Sequence, residues 1–391
     1  MTWELNHKPA IVGIGGTRYS KSSGVSVLGL AAEACQKAID DSGLAVREVD
    51  GIVTFGMNDS VQPQEVAACL GLSNLRYHMD YWGGGPTSNQ VVATAAMAVA
   101  TGMANNVVCF RALNGRSGRR LGGAGERPST EGEAQFLIPF GWTSFAHCFA
   151  VWATRHMAVY GTTSRQLGMV AVTARQHATT NERAMMCIPM TLTDYFNSPM
   201  ICWPFRLFDI CLETDGGCAL VVTSAERARH LRHRPVYISA AIHGGGPNPA
   251  GYGLNLAPYI RWKDHTESYA RYIAPELFAR AGVTPKDVDI AEIYDEMTIA
   301  TIIQLEDFGF CQKGEGGPFV EEGRTAIGGD IPVNTHGGLL SEGYLHGLNH
   351  VVEAVSQLRG DAGPRQVKDA EVALTTGMGG PTGSALILRR G

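Results

Sequence analysis

The feature that most limits how this chain of 391 residues can fold is a nine-residue phrase that occurs twice. Residues 42–50 read SGLAVREVD and residues 281–289 read AGVTPKDVD, a constant offset of 239 positions. Each copy follows an amphipathic helical pattern and precedes an apolar stretch that is typical of a strand. Glycines also precede a helical pattern in both parts of the chain, at residues 83–85 and 337–338. The repetition predicts two similar halves joined in one polypeptide.

The start of the chain indicates what kind of half is repeated. Residues 10–15 read as a buried strand, and small apolar residues recur at helical spacing over residues 27–38. A strand, a helix and a further strand in this order predict a layered α/β fold. We expect an N-terminal half over residues 1–235, with a loop and helical insertion at about residues 113–206. The C-terminal half is expected over residues 236–391.

Composition and charge limit the classes of protein to which the chain can belong. Hydrophobic residues make up 45% and charged residues 18%, which are proportions of a globular protein. A formal net charge of −5 predicts no basic surface for nucleic acid or for an anionic membrane. The sequence has neither the roughly 18 consecutive apolar residues of a membrane span nor an apolar signal core near its start. We therefore expect a soluble cytoplasmic protein without nucleic-acid or membrane partners.

The nine cysteines are scattered along the chain without a C-x-x-C pair. Zinc-ligand spacing is therefore absent, and we expect no metal site in this chain. The odd number and wide spacing fit reduced thiols better than a disulfide framework.

A segment at residues 114–132 is rich in glycine and arginine and has no periodicity. Such a composition favours a solvated surface loop. Arginine side chains in a loop could also meet the phosphates of a nucleotide-tailed ligand such as coenzyme A. Both interpretations remain open from the sequence.

Four features of the sequence, the last of them a pair of loops, resemble one known family. They comprise a glycine loop with its helix, an aspartate-rich approach to a strand, the phrase EIYDEM and two C-terminal glycine loops, at residues 83–102, 207–219, 292–297, 334–343 and 377–383. Over nearly its whole length the chain resembles the thiolase superfamily, most closely the branch of sterol carrier protein-type thiolases and related lipid-transfer proteins. The resemblance implies an α/β thiolase fold in which two βαβαβαββ halves pack as five layers, α-β-α-β-α.

The departures from thiolases concern all three of their reactive groups. Matching the helix of the first glycine loop places Gly85, or a close neighbour, where thiolases have the nucleophilic cysteine, and no cysteine lies between Cys69 and Cys109. The second thiolase cysteine belongs to a loop that here reads GMGGPTG, at residues 377–383. The histidine of the remaining loop is replaced by Tyr344. Without a thiolate, an acyl-enzyme step is not available.

Two tyrosines stand at positions that are catalytic in the superfamily, Tyr344 and Tyr294. This arrangement resembles the thiolase-like aldolases that cleave steroid side chains in bacterial cholesterol catabolism. The resemblance implies that the two side chains face one cavity and act as acid and base in a retro-aldol reaction. We assign Tyr344 as the base that deprotonates the alcohol and Tyr294 as the acid that protonates the enolate, with the opposite assignment left open.

Backbone N–H groups of glycine loops are expected to hold the oxygen of the thioester enolate, so that neither a Schiff-base lysine nor a metal is obligatory. The candidate substrate-binding residues are Gly338, Gly379 and Gly380. Polar side chains near the tyrosines in sequence are expected to support them: His336, His346 and Asp295.

By resemblance, the substrate is a 17-hydroxy steroid CoA thioester of the 17-hydroxy-3-oxo-4-pregnene-20-carboxyl-CoA type, cleaved to a 17-ketosteroid of the androstenedione type and propionyl-CoA. The substrate carries the CoA, and no cofactor is expected on this chain. The resemblance also implies a homodimer within a heterotetramer, completed by an OB-fold and zinc-ribbon partner on which any zinc would reside. Two alternatives remain, namely a non-catalytic lipid or acyl-CoA carrier and an aldolase for a non-steroid acyl-CoA.

Overall fold

The structure is a computed structural model that describes residues 5, 7–118, 120, 135–246 and 262–391. Its strands are β1 (Pro9–Gly16), β2 (Gly51–Gly56), β3 (Tyr77–Trp82), β4 (Asn106–Asn114), β5 (Met200–Cys202), β6 (Phe205–Arg206), β7 (Asp215–Ser224), β8 (Val236–Gly245), β9 (Ile290–Glu292), β10 (Val372–Met378) and β11 (Thr382–Arg390). Its helices are α1 (Val27–Ser42), α2 (Pro63–Leu70), α3 (Ser88–Ala100), α4 (Phe145–Tyr160), α5 (Ser164–Ala178), α6 (Leu192–Asn197), α7 (Ala225–Ala228), α8 (Ala270–Ala281), α9 (Thr298–Asp307), α10 (Gly316–Glu321), α11 (Gly338–Ser341) and α12 (Leu348–Arg359).

Helix α1 packs directly on β1 because two glycines of the strand leave no side chain between them. A Cβ atom added to Gly13 would lie 2.7 Å from Cβ of Ser42, and one added to Gly15 would lie 2.5 Å from the backbone nitrogen of Ala38. The helix ends at Gly43, whose φ of 79° is a left-handed conformation that glycine adopts without strain. The predicted strand and helix at the start of the chain are therefore confirmed.

Within the described residues, nine strands form one mixed sheet in the order β3-β2-β4-β7-β1-β8-β11-β10-β9. In its first part, β2 is parallel to β3 and β4, whereas β7 is antiparallel to β4 and β1. In its second part, β10 is parallel to β9, β11 is antiparallel to β10 and β8, and Val333 adds a parallel bridge to Ala291. The same arrangement of neighbours thus occurs twice, and the two sets meet where β1 pairs with β8.

Three buried apolar clusters lie between the sheet and the helices. One joins α1 to the N-terminal strands and includes Leu30 and Val108. The second surrounds α3 and α12 between the two parts of the sheet and includes Val91 and Val352. The third joins α8 and α9 to the C-terminal strands and includes Leu277. Helices therefore alternate with sheet through the molecule, and the α/β class predicted from the sequence is confirmed.

The connection between β4 and β7 contains α4, α5, α6 and the short β5–β6 pair. It covers the region for which the sequence predicts an insertion. The division into folding units at residues 1–235 and 236–391 stays a prediction. None of the helices in the described part of the chain combines the length and the apolar character that crossing a bilayer requires.

Candidate active site

The side chains of Tyr294 and Tyr344 meet in the interior of the C-terminal part. Their hydroxyl oxygens are 2.9 Å apart, so one phenol donates a hydrogen bond to the other. The backbone nitrogen of Tyr294 donates to Oγ1 of Thr376 on β10, and its carbonyl accepts from Nε2 of Gln304 on α9, both at 2.8 Å. The backbone nitrogen of Tyr344 donates to Oγ1 of Thr214 at 2.8 Å. Both tyrosines predicted from the sequence are thus held by neighbouring elements and lie together.

Gly85 lies against this pair of tyrosines. A Cβ atom added to Gly85 would lie 2.5 Å from the hydroxyl oxygen of Tyr294 and would also collide with the carbonyl oxygen of Met378. A Cβ atom on Gly377 would in turn collide with the carbonyl oxygen of Gly85. The position that the resemblance assigns to the thiolase nucleophile therefore has no room for any side chain while the tyrosine is present.

Among the described residues, Cys211 is the cysteine that lines the cavity beside the tyrosines. Burial raises the pKa of its thiol well above the ordinary value, and the carboxyl groups of Glu296 and Asp295 raise it further. Burial, followed by the charge of Asp295, also raises the pKa of Glu296 well above its ordinary value. Cys211 therefore remains a thiol at neutral pH and is not the thiolate that acyl transfer needs.

The sequence predicts that Gly338 binds substrate, and the structure places this residue against the carboxylate of Asp295. Helix α11 begins at Gly338, but the carboxylate of Asp295 already accepts hydrogen bonds from the amides of Leu339, at 2.8 Å, and Leu340, at 3.4 Å. A Cβ atom on Gly338 would collide with the same carboxylate. Gly338 is not among the residues that line the cavity. Asp295, the residue after Tyr294, therefore caps this helix.

The two glycines of the last loop have different positions. Gly379 lines the cavity, and its amide donates to the carbonyl oxygen of Thr382 at 2.9 Å in the turn between β10 and β11. Gly380 has a φ of 81° within that turn, and its carbonyl oxygen accepts from the amide of Tyr269 at 3.3 Å. Gly380 does not line the cavity. Of the three glycines predicted to bind substrate, Gly379 alone borders the space beside the tyrosines.

His346 also lines the cavity, with its ring centroid 4.6 Å from that of Tyr344. Nη2 of Arg111 lies 3.0 Å from Nδ1 of His346, and the same nitrogen forms an ion pair with Oδ2 of Asp59 at 2.5 Å. Burial, and next the positive charge of Arg111, lower the pKa of His346 to about 3. Our sequence reasoning did not identify Arg111 or Asp59, although an arginine inside the apolar run NVVCFRALN was the available signal.

His336 lies outside the cavity, in a buried network of charged side chains. Its Nδ1 is 2.9 Å from Oε2 of Glu292, and its Nε2 is 3.4 Å from Oε2 of Glu342. Burial opposes protonation of this ring, but Glu342 and Glu292 outweigh it and raise the pKa of His336 to about 9. The ring of His350 lies 5.0 Å from that of His336, and its Nδ1 is 3.7 Å from the same oxygen of Glu292.

Glu292, His336 and His350 have donor atoms within 4.8 Å of one another and are therefore the described residues that could reach one cation. Spacing along the sequence did not reveal this group. Nδ1 of His336 and Nδ1 of His350 lie at 2.9 Å and 3.7 Å from the same oxygen of Glu292. These distances describe a network of paired charges at this position.

The tyrosine pair opens into a cavity of about 470 Å³, which is within the size range of small-molecule sites. Apolar side chains supply most of its wall, including Phe145, Ile201, Phe208, Ile210, Met297 and Leu340. Such a wall suits a large apolar ligand, because burial of apolar surface drives binding without directional contacts.

Two cations, Lys21 and Arg120, also line this cavity. Arg120 forms an ion pair with Glu213, in which Nη2 and Oε2 are 2.5 Å apart. It belongs to the glycine- and arginine-rich segment, of which residues 119 and 121–132 lie outside the described residues. The interpretation of this segment as a phosphate contact therefore stays a prediction.

Comparison with known proteins places the chain in a family. Residues 254–389 match the family described as Thiolase C-terminal domain-like. The chain is 43% identical over 390 residues to the 17-hydroxy-3-oxo-4-pregnene-20-carboxyl-CoA lyase of Mycobacterium tuberculosis, covering 98% of this chain and 100% of that protein. It is 42% identical over 386 residues to the steroid side-chain-cleaving aldolase of Thermomonospora curvata, covering 97% of each.

Solved structures agree with the sequence relatives. The structure described as Ltp2-ChsH2(DUF35) aldolase matches with a TM-score of 0.92 and 41% identity, covering 99% of this chain and 98% of that chain. Human mitochondrial 3-ketoacyl-CoA thiolase matches with a TM-score of 0.70 and 14% identity, covering 99% of each chain, a likeness of fold alone. The resemblance inferred from the glycine loops and the tyrosine positions is confirmed. The chain belongs to the thiolase superfamily, as a carbon–carbon lyase of the thiolase-like aldolases in its sterol carrier protein-type branch.

Proposed function

We propose that this chain cleaves the side chain of a steroid CoA thioester that carries a hydroxyl group on C17, by a retro-aldol reaction with the two tyrosines as acid and base. The observation that carries the proposal is the 2.9 Å contact between the hydroxyls of Tyr294 and Tyr344, in a cavity where Gly85 excludes the thiolase nucleophile. The names of two relatives above 40% identity support the substrate class.

The proposed reaction balances without any added reagent. A base removes the proton from the C17 hydroxyl, and the oxygen lone pair forms the C17 carbonyl while the C17–C20 bond breaks. The electron pair of that bond moves into the thioester as the enolate of propionyl-CoA. Protonation of the enolate carbon then gives propionyl-CoA, so the proton lost from the alcohol is replaced at carbon.

Two phenols in contact are suited to moving that proton. Tyrosine ordinarily titrates near pH 10, so a tyrosine base needs a partner that receives or returns a proton. The hydrogen bond between the two hydroxyls supports such an exchange, because a proton leaving one oxygen can be followed by transfer from the other. We assign Tyr344, which is only partly buried, as the base toward the alcohol, and Tyr294, which is fully buried, as the acid toward the enolate.

The lining of the cavity suits the two chemically different parts of the proposed substrate, the steroid rings and the CoA. The apolar wall would contact the steroid rings, whereas Lys21 and Arg120 would lie toward the phosphates of the CoA. The related structure combines an Ltp2 chain with ChsH2(DUF35), and we extend this pairing to the present chain. The DUF35-type partner would carry the OB-fold and zinc ribbon, and a homodimer of this chain would form the centre of the complex.

A reconstitution experiment tests the proposal. The purified chain is mixed with a 17-hydroxy steroid CoA thioester, with and without a DUF35-type partner, and products are separated by mass spectrometry. We expect equal amounts of 17-ketosteroid and propionyl-CoA. Substrate that binds but is recovered unchanged under every condition would support a carrier instead. Cleavage of short β-hydroxyacyl-CoA esters but not of the steroid would indicate the non-steroid alternative.

A further inference from the structure

A chain of three buried polar side chains ends at the cavity next to Tyr344. Asp59 pairs with Nη2 of Arg111 at 2.5 Å, and it also accepts a hydrogen bond from the amide of Met57 at 2.8 Å. Arg111 contacts Nδ1 of His346 twice, from Nη2 at 3.0 Å and from Nε at 3.3 Å. Both Arg111 and His346 are almost completely shielded from solvent. Arg111 is fixed further by the carbonyl oxygen of Ala112, at 3.1 Å from Nη1.

This arrangement determines the protonation of the imidazole. A guanidinium offers hydrogen-bond donors and no acceptor, so Nδ1 of His346 must accept from Arg111 and cannot carry a proton. In a neutral ring the single proton then lies on Nε2. The low pKa of about 3, caused by burial and by the charge of Arg111, agrees with a neutral ring at physiological pH. His346 is therefore a fixed donor at Nε2 and has no free lone pair with which to act as a base.

Gly84 lies against the edge of the ring that carries Nε2. A Cβ atom added to Gly84 would lie 3.0 Å from Nε2 and 2.7 Å from Cδ2 of His346, so no side chain at position 84 covers this edge. Gly84, His346 and both catalytic tyrosines line the same cavity. His346 adopts a φ of 52°, which is uncommon for a residue with a side chain. Backbone conformations of this kind are found mainly at functional sites.

The reaction needs a hydrogen-bond donor at the thioester oxygen. Negative charge develops on the thioester oxygen as the C17–C20 bond breaks, and fixed donors that face such an oxygen lower the barrier. Of the three glycines that the sequence suggested for this role, Gly338 and Gly380 do not line the cavity, and the amide of Gly379 donates to Thr382.

We propose that Nε2–H of His346 donates a hydrogen bond to the thioester oxygen of the substrate as it becomes the enolate, with Arg111 and Asp59 as positioning residues that fix the tautomer. The proposal rests on the aldolase function above and assigns an electrophilic role to a histidine that does not titrate during the reaction. A neutral imidazole is suited to this role, because it stabilises the oxyanion without transferring its proton.

The first test compares two substitutions of the same residue. His346→Phe keeps a planar ring and removes the donor, and we expect kcat to fall roughly 10²- to 10³-fold with little change in KM. His346→Gln returns an amide N–H near the position of Nε2, and it should retain at least about tenfold more activity than the Phe variant. Equal activity of the two variants, or near-normal kcat in His346→Phe, would overturn the proposal.

A second test isolates enolate formation. In D₂O the wild-type enzyme should exchange the α-hydrogens of propionyl-CoA in the presence of the 17-ketosteroid, and His346→Phe should slow this exchange in parallel with kcat. Cleavage by the wild type with unchanged exchange in the variant would reject the role of His346 while leaving the aldolase function intact. Absence of both cleavage and exchange in the wild type would instead reject the aldolase function itself.

A third test examines the tautomer directly. In ¹⁵N-histidine NMR spectra, the signals of His346 are identified as those that are lost in His346→Gln. Between about pH 5 and pH 9 they should have the shifts of a neutral ring that is protonated at Nε2. The double variant Arg111→Met and Asp59→Asn removes both buried charges. The ring proton should then be able to reside on either nitrogen, and kcat should become dependent on pH. His156→Gln is the matched control, since His156 is buried against Thr162 and Glu306 and should affect stability alone. An imidazolium, or an Nδ1-protonated ring, in the wild type would contradict the proposal.

Discussion

The hydroxyl oxygens of Tyr294 and Tyr344 are 2.9 Å apart, although the two residues are separated by 50 positions in the sequence. The contact joins the loop after β9, which contains Tyr294, to the loop after α11, which contains Tyr344. A direct hydrogen bond makes the two phenols one coupled unit, so a change in either affects the protonation of both.

Removing either hydroxyl should therefore disable the unit. We expect Tyr344→Phe and Tyr294→Phe each to lower kcat by roughly 10²–10⁴, with the fold retained. The double variant should lose little more than the worse single variant, because residues that act together are not additive. Steady-state kinetics with circular dichroism measures both effects, and Tyr160→Phe, at an exposed position on α4, is the control.

The same variants separate the two roles. If Tyr294 protonates the enolate, Tyr294→Phe should slow α-hydrogen exchange of propionyl-CoA more strongly than Tyr344→Phe does. The reverse order would assign the acid role to Tyr344. Near-normal turnover in both single variants would reject the tyrosine mechanism.

Restoring a cysteine at the thiolase position should not restore thiolase chemistry. In Gly85→Cys the new Cβ would lie 2.5 Å from the hydroxyl of Tyr294, so overpacking should destabilise the fold by about 1–3 kcal/mol and abolish cleavage. Denaturant unfolding and activity measurements test this. Gly244→Ala is the control, since a Cβ there meets nothing within 4 Å. A stable Gly85→Cys enzyme with normal cleavage would show that the site has more room than the geometry indicates.

The buried pair of His336 and Glu292 predicts a loss of stability at alkaline pH. The folded-state pKa of His336 is about 9 against an ordinary 6.5, so its protonated form is stabilised by folding. This contribution is complete below about pH 6.5 and is lost as the pH rises through about 9. His336→Gln should be less stable at neutral pH and should show a smaller decline over that interval. Urea unfolding of both proteins across this range measures the difference, and parallel declines would contradict the assignment.

Arg120 should affect substrate binding more than chemistry. It lines the cavity and is partly exposed, with Glu213 as its ion-pair partner. In Arg120→Gln we expect KM for the CoA thioester to rise roughly two- to fivefold with kcat nearly unchanged, because the contact is present in both ground and transition states. Arg165→Gln, which breaks an exposed pair with Glu321, is the matched control. A fall in kcat without a change in KM would place Arg120 in the chemical step.

The sequence alone determined the α/β class, the family and the two tyrosines. These properties depend on patterns within short segments, since a strand, a helix or a glycine loop carries its signature locally. The missing cysteine at Gly85 was equally readable, because an absent residue type needs no coordinates.

The tertiary structure decided which groups line the cavity and which are engaged in hydrogen bonds elsewhere. Gly338 was predicted to bind substrate, but the amide that follows it, that of Leu339, donates to Asp295, 44 positions away in the chain. His336 and His346 were equivalent supporting residues from the sequence, yet one is a buried cation beside carboxylates and the other a neutral donor beside Arg111, 235 positions away. Protonation and hydrogen-bond occupancy depend on burial and on charges brought together by folding, and neighbours along the chain do not specify them.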